Sequence, residues 1–349
     1  RRVLFRSGFG LFDQVDCATD GCVAHADPRL FSQKGPRFRE SQKPSFLLLL
    51  ASPARSLLRC RDRVNPPFHA VIPMKNRFFA AVTLMLLWGG TTLAARTPNF
   101  IVIFVDDMGY GDLGCFGSKV HATPVLDQMA AEGMRLTDFY SSCSVCTPSR
   151  ASLMTGCYPR RVNMHVDENN LCVLFPRARK GLSLDEVTVA EVLKNAGYQT
   201  MCIGKWHLGD HPTFLPTRHG FDQYFGIPYS NDMGSRQNNR GNPPLPLLRN
   251  ETVIEAPVQQ ATITARYTNE AVNFIRQNHQ RPFFLYLPHT AVHLPLFPGE
   301  AFRGKSKDGA YGDWVEEVDW STGQILATLK ELGIDEETLR SEEHTSELQ

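Results

Sequence analysis

Asn99 to Gly111 reads NFIVIFVDDMGYG: an apolar run from Phe100 to Val105, then two aspartates, then a glycine-rich turn. An unbroken apolar run of this length, rich in β-branched residues, predicts a strand buried on both faces, as in a parallel sheet. The flanking pattern alternates strand and helix. Pro124 to Gly133 carries Val125, Leu126, Met129 and Ala130 at helical spacing and closes on glycine. Leu184 to Ala196 repeats the scheme with Val187, Ala190, Val192 and Leu193, and Tyr198 to Gly204 predicts a second buried strand. Thr264 to Asn278 predicts a helix, Phe283 to Leu287 (FFLYL) a strand, and Val315 to Leu332 a last amphipathic helix. Helices between buried strands imply an α/β fold with a large, mostly parallel sheet flanked by helices. Ligands of such sheets sit beyond the C-terminal ends of the strands. Asn231 to Pro246, rich in Gly, Asn and Pro, predicts a long surface loop.

The chain has 349 residues, 37 Lys+Arg against 36 Asp+Glu, and 42% hydrophobic residues, so it is neither a disordered chain nor a broadly basic nucleic-acid binder. Its nine cysteines are too sparse for a disulfide-built miniprotein. The ends read differently from the middle. RSEEHTSELQ (residues 340–349) and RRVLFRS (residues 1–7) are translations of one sequencing-adapter oligonucleotide in opposite orientations, and are expected to lie outside the natural protein. No methionine precedes Met74, which opens MKNRFFAAVTLMLLWGGTTLAA. Lys75 and Arg77, an apolar core from Phe78 to Trp88, and small residues at Thr92-Leu93-Ala94 predict a secretory signal peptide over residues 74–94. The apolar core falls short of the roughly 20 residues a membrane span needs. Residues 1–73 are expected to be non-native, and residues 95–339 to be the secreted piece. Cys115, Cys143, Cys146, Cys157, Cys172 and Cys202 lie in that piece, and their pairing cannot be read from spacing.

Chemistry concentrates in CTPSRASLMTG, Cys146 to Gly156. Thr147 is expected to cap a helix whose first residue is Pro148, setting Cys146 just before a helix N-terminus, a ready place for a tetrahedral anion. Arg150, one turn along, can fold back toward it. Alternative readings of Cys146 are a buried core cysteine and a Cys143-x-x-Cys146 redox pair.

The pattern C-x-P-S-R-x-x-L-x-T-G resembles the sulfatase signature, and AGYQTMCIGKWHL, Ala196 to Leu208, resembles the second sulfatase motif. The similarity runs over nearly all of Pro98 to Leu339, and GIPYSNDMG, Gly226 to Gly234, points to the branch of arylsulfatase A and N-acetylgalactosamine-6-sulfatase. The resemblance implies an alkaline-phosphatase-like fold, of which this chain is the N-terminal part. It also implies oxidation of Cys146 to formylglycine by a separate formylglycine-generating enzyme. One hydroxyl of the hydrated aldehyde then attacks sulfur, the alcohol leaves, and the second hydroxyl expels sulfate. Asp106, Asp107 and the converted Cys146 become calcium ligands. Lys205 binds sulfate, and His207 takes a proton from the formylglycine during elimination. His293, in the H-x-P context His293-Leu294-Pro295, contacts sulfate and protonates the leaving group. Ser230 matches a polar active-site serine, and Arg150 belongs to the catalytic set.

The residues by themselves leave other readings open. Asp106 and Asp107 can be solvated turn aspartates, and both reach one ion only if the chain turns there. His289 and His293, four apart, can be zinc ligands, although Pro288 and Pro295 disfavour the helix this requires. His289 then falls in a second layer, His211 reads as a loop residue, and Ser230 as a loop cap. Calcium takes about 6–8 oxygens and two carboxylates supply four at most. The family's Asp-Asn pair, due on the strand after Leu339, is missing, as is a second sulfate-binding lysine. The sheet is therefore expected to lack its next strand, and the chain to be inactive and poorly folded. Substrates are sulfated small molecules, glycans or lipids. A phosphoester hydrolase of the same superfamily and a non-catalytic sulfate-binding relative are the alternatives.

Overall fold

In the computed structural model, residues 2–4, 97–234 and 241–344 are described, residues 2–4 and 344 by their backbone alone. The expected signal segment, residues 74–94, lies outside them. Asn99 to Val105 is a strand, β2, after a short β1 at Arg2–Leu4. Along β2, Ile101, Ile103 and Val105 enter one apolar cluster, while Phe100, Val102 and Phe104 face a second. The continuous apolar run is thus explained by burial on both sides of the sheet. Further strands are β3 (Met134–Arg135), β4 (Gln199–Ile203), β5 (Gln223–Gly226), β6 (Leu247–Arg249), β7 (Thr252–Glu255), β8 (Phe283–Pro288) and β9 (Thr338–His344). Their order in the sheet is β3-β1-β9-β2-β8-β4-β5-β6-β7. Pairing is parallel from β3 through β5, and antiparallel from β5 to β6 and β6 to β7.

Among the described residues, five α-helices cover the two faces of this mixed sheet. Helices α1 (Pro124–Glu132), α4 (Ile263–Asn278) and α5 (Gly309–Glu331) bury Leu126, Met129, Tyr267, Phe274, Trp314 and Val318 in the first cluster. Helices α2 (Cys146–Thr155) and α3 (Val189–Asn195) bury Ala151, Met154 and Ala190 in the second, with Trp206 and Phe221. None of the described helices is long and apolar enough to cross a membrane.

Four sequence expectations are corrected. The helix expected from Leu184 begins only at Val189, because Thr188 caps it: its hydroxyl accepts from Glu191 N–H and Glu191 returns a bond to Thr188 N–H at 2.7 Å. Val187 and Val192, read as buried-face residues, are exposed. Helix α5 starts six residues before the expected Val315, at Gly309, and Asp313 in its first turns accepts the N–H groups of Gly304, Lys305 and Ser306. The supposed surface loop after Ser230 begins with buried Asn231 and Met233 and re-enters the core at Leu245. Finally, the sheet does not stop short of its next strand. β9 lies between β1 and β2, pairing Phe100 with Leu339 and Phe104 with Glu343, and runs across residue 339. Backbone pairing is blind to side chains, so this slot holds Arg340, Ser341, Glu342 and Glu343, all buried.

Candidate active site

The candidate residues gather beyond the C-terminal ends of β2, β4, β5 and β8. At the end of β2 the chain turns: Asp107 has the left-handed φ of 57°, which frees the two aspartates from strict strand alternation. At the end of β4 a left-handed Gly204, φ 136°, lies so close to β8 that a Cβ would meet the Pro288 carbonyl at 1.8 Å. Only glycine fits there, and this close passage carries Lys205 into the interior.

Asp106 is fully buried and faces two fully buried cations. Lys205 Nζ donates to its Oδ2, and Arg150 Nη2 lies 3.3 Å from its Oδ1. Burial alone would raise the Asp106 pKa, but Lys205 and Arg150 hold it well below the ordinary carboxylate range. Burial likewise works against the charge of Lys205 and Arg150, and Asp106 more than offsets it, so both stay protonated. Lys205 Nζ also donates to Ser230 Oγ at 2.9 Å, and Arg150 Nη1 donates to the Lys205 carbonyl at 2.5 Å. The Arg150 guanidinium stacks over Phe104 at 4.9 Å, and its Nε makes no hydrogen bond. Cys146 is within the electrostatic reach of both cations.

Cys146 opens helix α2 as its first residue, behind Val145 as the cap. The expected cap, Thr147, is inside the helix. Its hydroxyl is spent on tertiary contacts, donating to the His207 carbonyl at 3.1 Å and accepting Leu174 N–H at 3.2 Å. The anion-favouring helix end is nonetheless where Cys146 sits. None of the six described cysteines is in a disulfide, so Cys143 and Cys146 are not joined.

His207 is buried at a left-handed φ of 58°, beyond the end of β4. Its Nε2 lies 2.8 Å from the Leu174 carbonyl, which can only accept, so the proton is on Nε2 and Nδ1 keeps a lone pair with no hydrogen bond. Burial, then Lys205, pushes its pKa well below 6.5, so the ring is neutral at pH 7. His293 Nε2 is 3.6 Å from Asp107 Oδ2, and its Nδ1 lies 2.5 Å from the Leu294 carbonyl. Burial and Lys205 lower its pKa too, against the pull of Asp106.

His289 is buried beside Tyr267 with no hydrogen bond to either ring nitrogen, pushed down to about 4 by burial. Among the described residues no group of three His, Cys, Asp or Glu that could hold a metal includes His289 and His293. His211 is a loop residue, its Nδ1 bonded to Thr213. Asn231 went unrecognised in the sequence. Its Nδ2 donates to the carbonyls of His293 and Pro295, both at 3.2 Å, tying the loop after Ser230 to the His293 segment. Adjacency to Ser230 was the one signal available for it.

Cys146 stands at the anion-favouring helix end and within electrostatic reach of Arg150, whose Nε is buried without a hydrogen bond. Calcium is served in part. Asp106 Oδ2 accepts from Lys205, whereas its Oδ1 is buried 3.3 Å from Arg150 Nη2 without a hydrogen bond, and among the described residues no group of three His, Cys, Asp or Glu can hold a metal. The two carboxylates here supply at most four of the about 6–8 oxygens of a calcium shell.

Residues 98–339 match the family described as Sulfatase. The chain belongs to the sulfatase family. Human arylsulfatase A is 44% identical over 275 residues, 74% of this sulfatase chain and 53% of that protein. Dog N-acetylgalactosamine-6-sulfatase is 40% identical over 262 residues, 71% of this chain and 50% of the relative. The sulfatase chain thus spans about half the length of the curated relatives it matches. Among solved structures, the PsFucS1 sulfatase from Pseudoalteromonas superposes with a TM-score of 0.63 at 29% identity, over 78% of this chain and 59% of that one. The sheet and its flanking helices are those of the alkaline-phosphatase-like sulfatase fold.

Proposed function

We propose that the protein carrying this chain is a secreted sulfuric-ester hydrolase whose nucleophile is formylglycine made from Cys146 by a formylglycine-generating enzyme. The observation that carries this reading is the buried Lys205–Asp106–Arg150 cage beside the helix end that begins at Cys146. Two desolvated cations beside a helix N-terminus are what a tetrahedral, anionic sulfuryl group requires. The formylglycine hydrate supplies a hydroxyl for attack on sulfur and so divides one displacement into two easier ones.

The chain's own residues do the rest. Asp106 fixes Lys205 and Arg150 before substrate arrives, so the sulfuryl oxygens meet oriented donors. Ser230 steadies Lys205 Nζ from the other side. The lone pair at His207 Nδ1 accepts the proton released during elimination, and Nε2 of His293 gives one to the departing alcohol. Asp106 and Asp107, with the converted Cys146, are the residues we assign to calcium. A bound calcium would supply charge stabilisation for the sulfuryl oxygens. Residues 74–94 are the proposed export signal, and the compartment follows from the source.

Hydrolysis of para-nitrophenyl sulfate and para-nitrophenyl phosphate tests the reading in the complete protein co-expressed with the converting enzyme. Sulfate-ester turnover is expected to dominate, and Lys205→Ala is expected to lose about 10²–10³-fold in kcat. Preference for the phosphate would favour a phosphoester hydrolase, and turnover of neither ester a sulfate-binding relative.

A further inference from the structure

Three side chains lie close in sequence to residues of the site and belong to none of the cage's hydrogen bonds or ion pairs. Asp210 follows His207 by three residues, Tyr229 precedes Ser230, and Arg177 follows Leu174, whose carbonyl holds His207, by three. The fold fixes their placement. Arg177 N–H donates to Asp210 Oδ2 at 2.7 Å, and Leu182 N–H to the Leu208 carbonyl at 2.9 Å, so residues 177–182 run beside the loop that carries His207. Val173 and Phe175 pack on the apolar cluster that contains Tyr229. Arg177 bulges outward at a left-handed φ of 65°, and its side chain is exposed.

Tyr229 is 3% exposed, and its hydroxyl makes no hydrogen bond. The second oxygen of Asp210, Oδ1, is likewise closed off from solvent and accepts none. Burial raises the pKa of both groups, and each is influenced by the Arg177 charge. A phenol is a donor and a carboxylate an acceptor. Leaving both idle in the interior is costly, and natural structures rarely do so without a reason. One kind of group answers both at once: an alcohol hydroxyl accepts from the phenol and donates to the carboxylate. An exposed guanidinium at the rim adds donors for a neighbouring oxygen.

We propose that Asp210, Tyr229 and Arg177 form a subsite for the hydroxyls of the leaving alcohol, so that the ester taken is that of a polyhydroxylated ring rather than of a flat phenol. This rests on the cage being the sulfuryl site. Sites built to bond a hydroxyl discriminate strongly against analogues that lack it.

The test uses the whole chain with Cys146 unconverted, titrated by calorimetry with inorganic sulfate, glucose 6-sulfate, unsulfated glucose and phenyl sulfate. Glucose 6-sulfate is expected to bind at least about tenfold more tightly than phenyl sulfate, with glucose alone weakest. Tyr229→Phe removes one hydroxyl that nothing bonds, so the fold is retained, and it is expected to cut that preference about fivefold while inorganic sulfate binds as before. Asp210→Asn is expected to do the same. Equal affinity for the two esters, or a preference untouched in both variants, overturns the subsite and leaves a bound water as its occupant. Failure of inorganic sulfate itself to bind overturns the cage reading, and the subsite with it.

Discussion

Each residue of the cage has a state set by burial and charge together. Lys205 and Arg150 remain cationic in the interior because Asp106 lies against both. The two histidines differ in what chemistry asks of them, since His207 must be neutral to accept a proton and His293 protonated to give one. Both pKa values are lowered, in each case by burial first and Lys205 next, and His207 is the more completely buried of the two. The productive pair, neutral His207 with protonated His293, is therefore most populated on the acid side of an ordinary histidine pKa of about 6.5. A kcat profile against pH is expected to fall as pH rises through neutrality, and an optimum above pH 8 would contradict these assignments. Most of the cage was legible in the sequence: Cys146, Arg150, Lys205 and His207 stand in motifs. Thr147 was misread because capping preference is local, whereas its hydroxyl is claimed by His207 and Leu174 from distant parts of the chain.

At the scale of elements, strands were easier to read than helix ends. β2, β4 and β8 are apolar runs whose burial on both faces leaves one interpretation. The start of α3 depended on a capping box, Thr188 with Glu191, that a reading of apolar periodicity passed over. Helix α1 shows what cannot be read locally. Its N–H groups at Val125 and Leu126 are accepted by Asp319, at 3.3 and 2.8 Å, from a helix almost two hundred residues away in sequence. Strand β9 is the misfit. An interior parallel strand is ordinarily apolar, yet this one buries Arg340, Ser341, Glu342 and Glu343. Replacing a buried ion pair as a unit by apolar side chains is often neutral or stabilising by about 1–4 kcal/mol, whereas removing one charged partner alone typically costs about 3–5 kcal/mol. Glu342 has partners in the fold, so Glu342→Leu is expected to lower the urea midpoint of the chain, and a higher midpoint would show that this carboxylate is poorly compensated where it lies.

For the molecule as a whole, the buried histidines make stability depend on pH. His219 and His289 are both pushed down to about 4 by burial, with no hydrogen bond to any ring nitrogen. Between about 6.5 and 4 the unfolded chain binds protons there that the folded chain refuses, so their contribution is full above 6.5 and is lost as pH falls. Glu317 and Asp319 act in the opposite sense. Burial raises them to about 7 and about 6, so in the same range the folded state is the one that holds the proton. With His207 and His293 also lowered, the histidines outweigh the acids, and the urea midpoint is expected to fall from pH 7 to pH 4. Glu317→Gln, which keeps an acceptor for Gly299 N–H, is expected to steepen that fall by removing an opposing contribution. An unchanged slope would contradict the Glu317 assignment.

The fate of one sulfur atom bears most directly on the whole account. Mass spectrometry of the peptide containing Cys146, after co-expression with a formylglycine-generating enzyme, is expected to find the thiol replaced by an aldehyde, while a Cys146→Ala peptide stays unmodified. A native thiol recovered intact at position 146 under those conditions would contradict the proposal that this helix end carries the nucleophile.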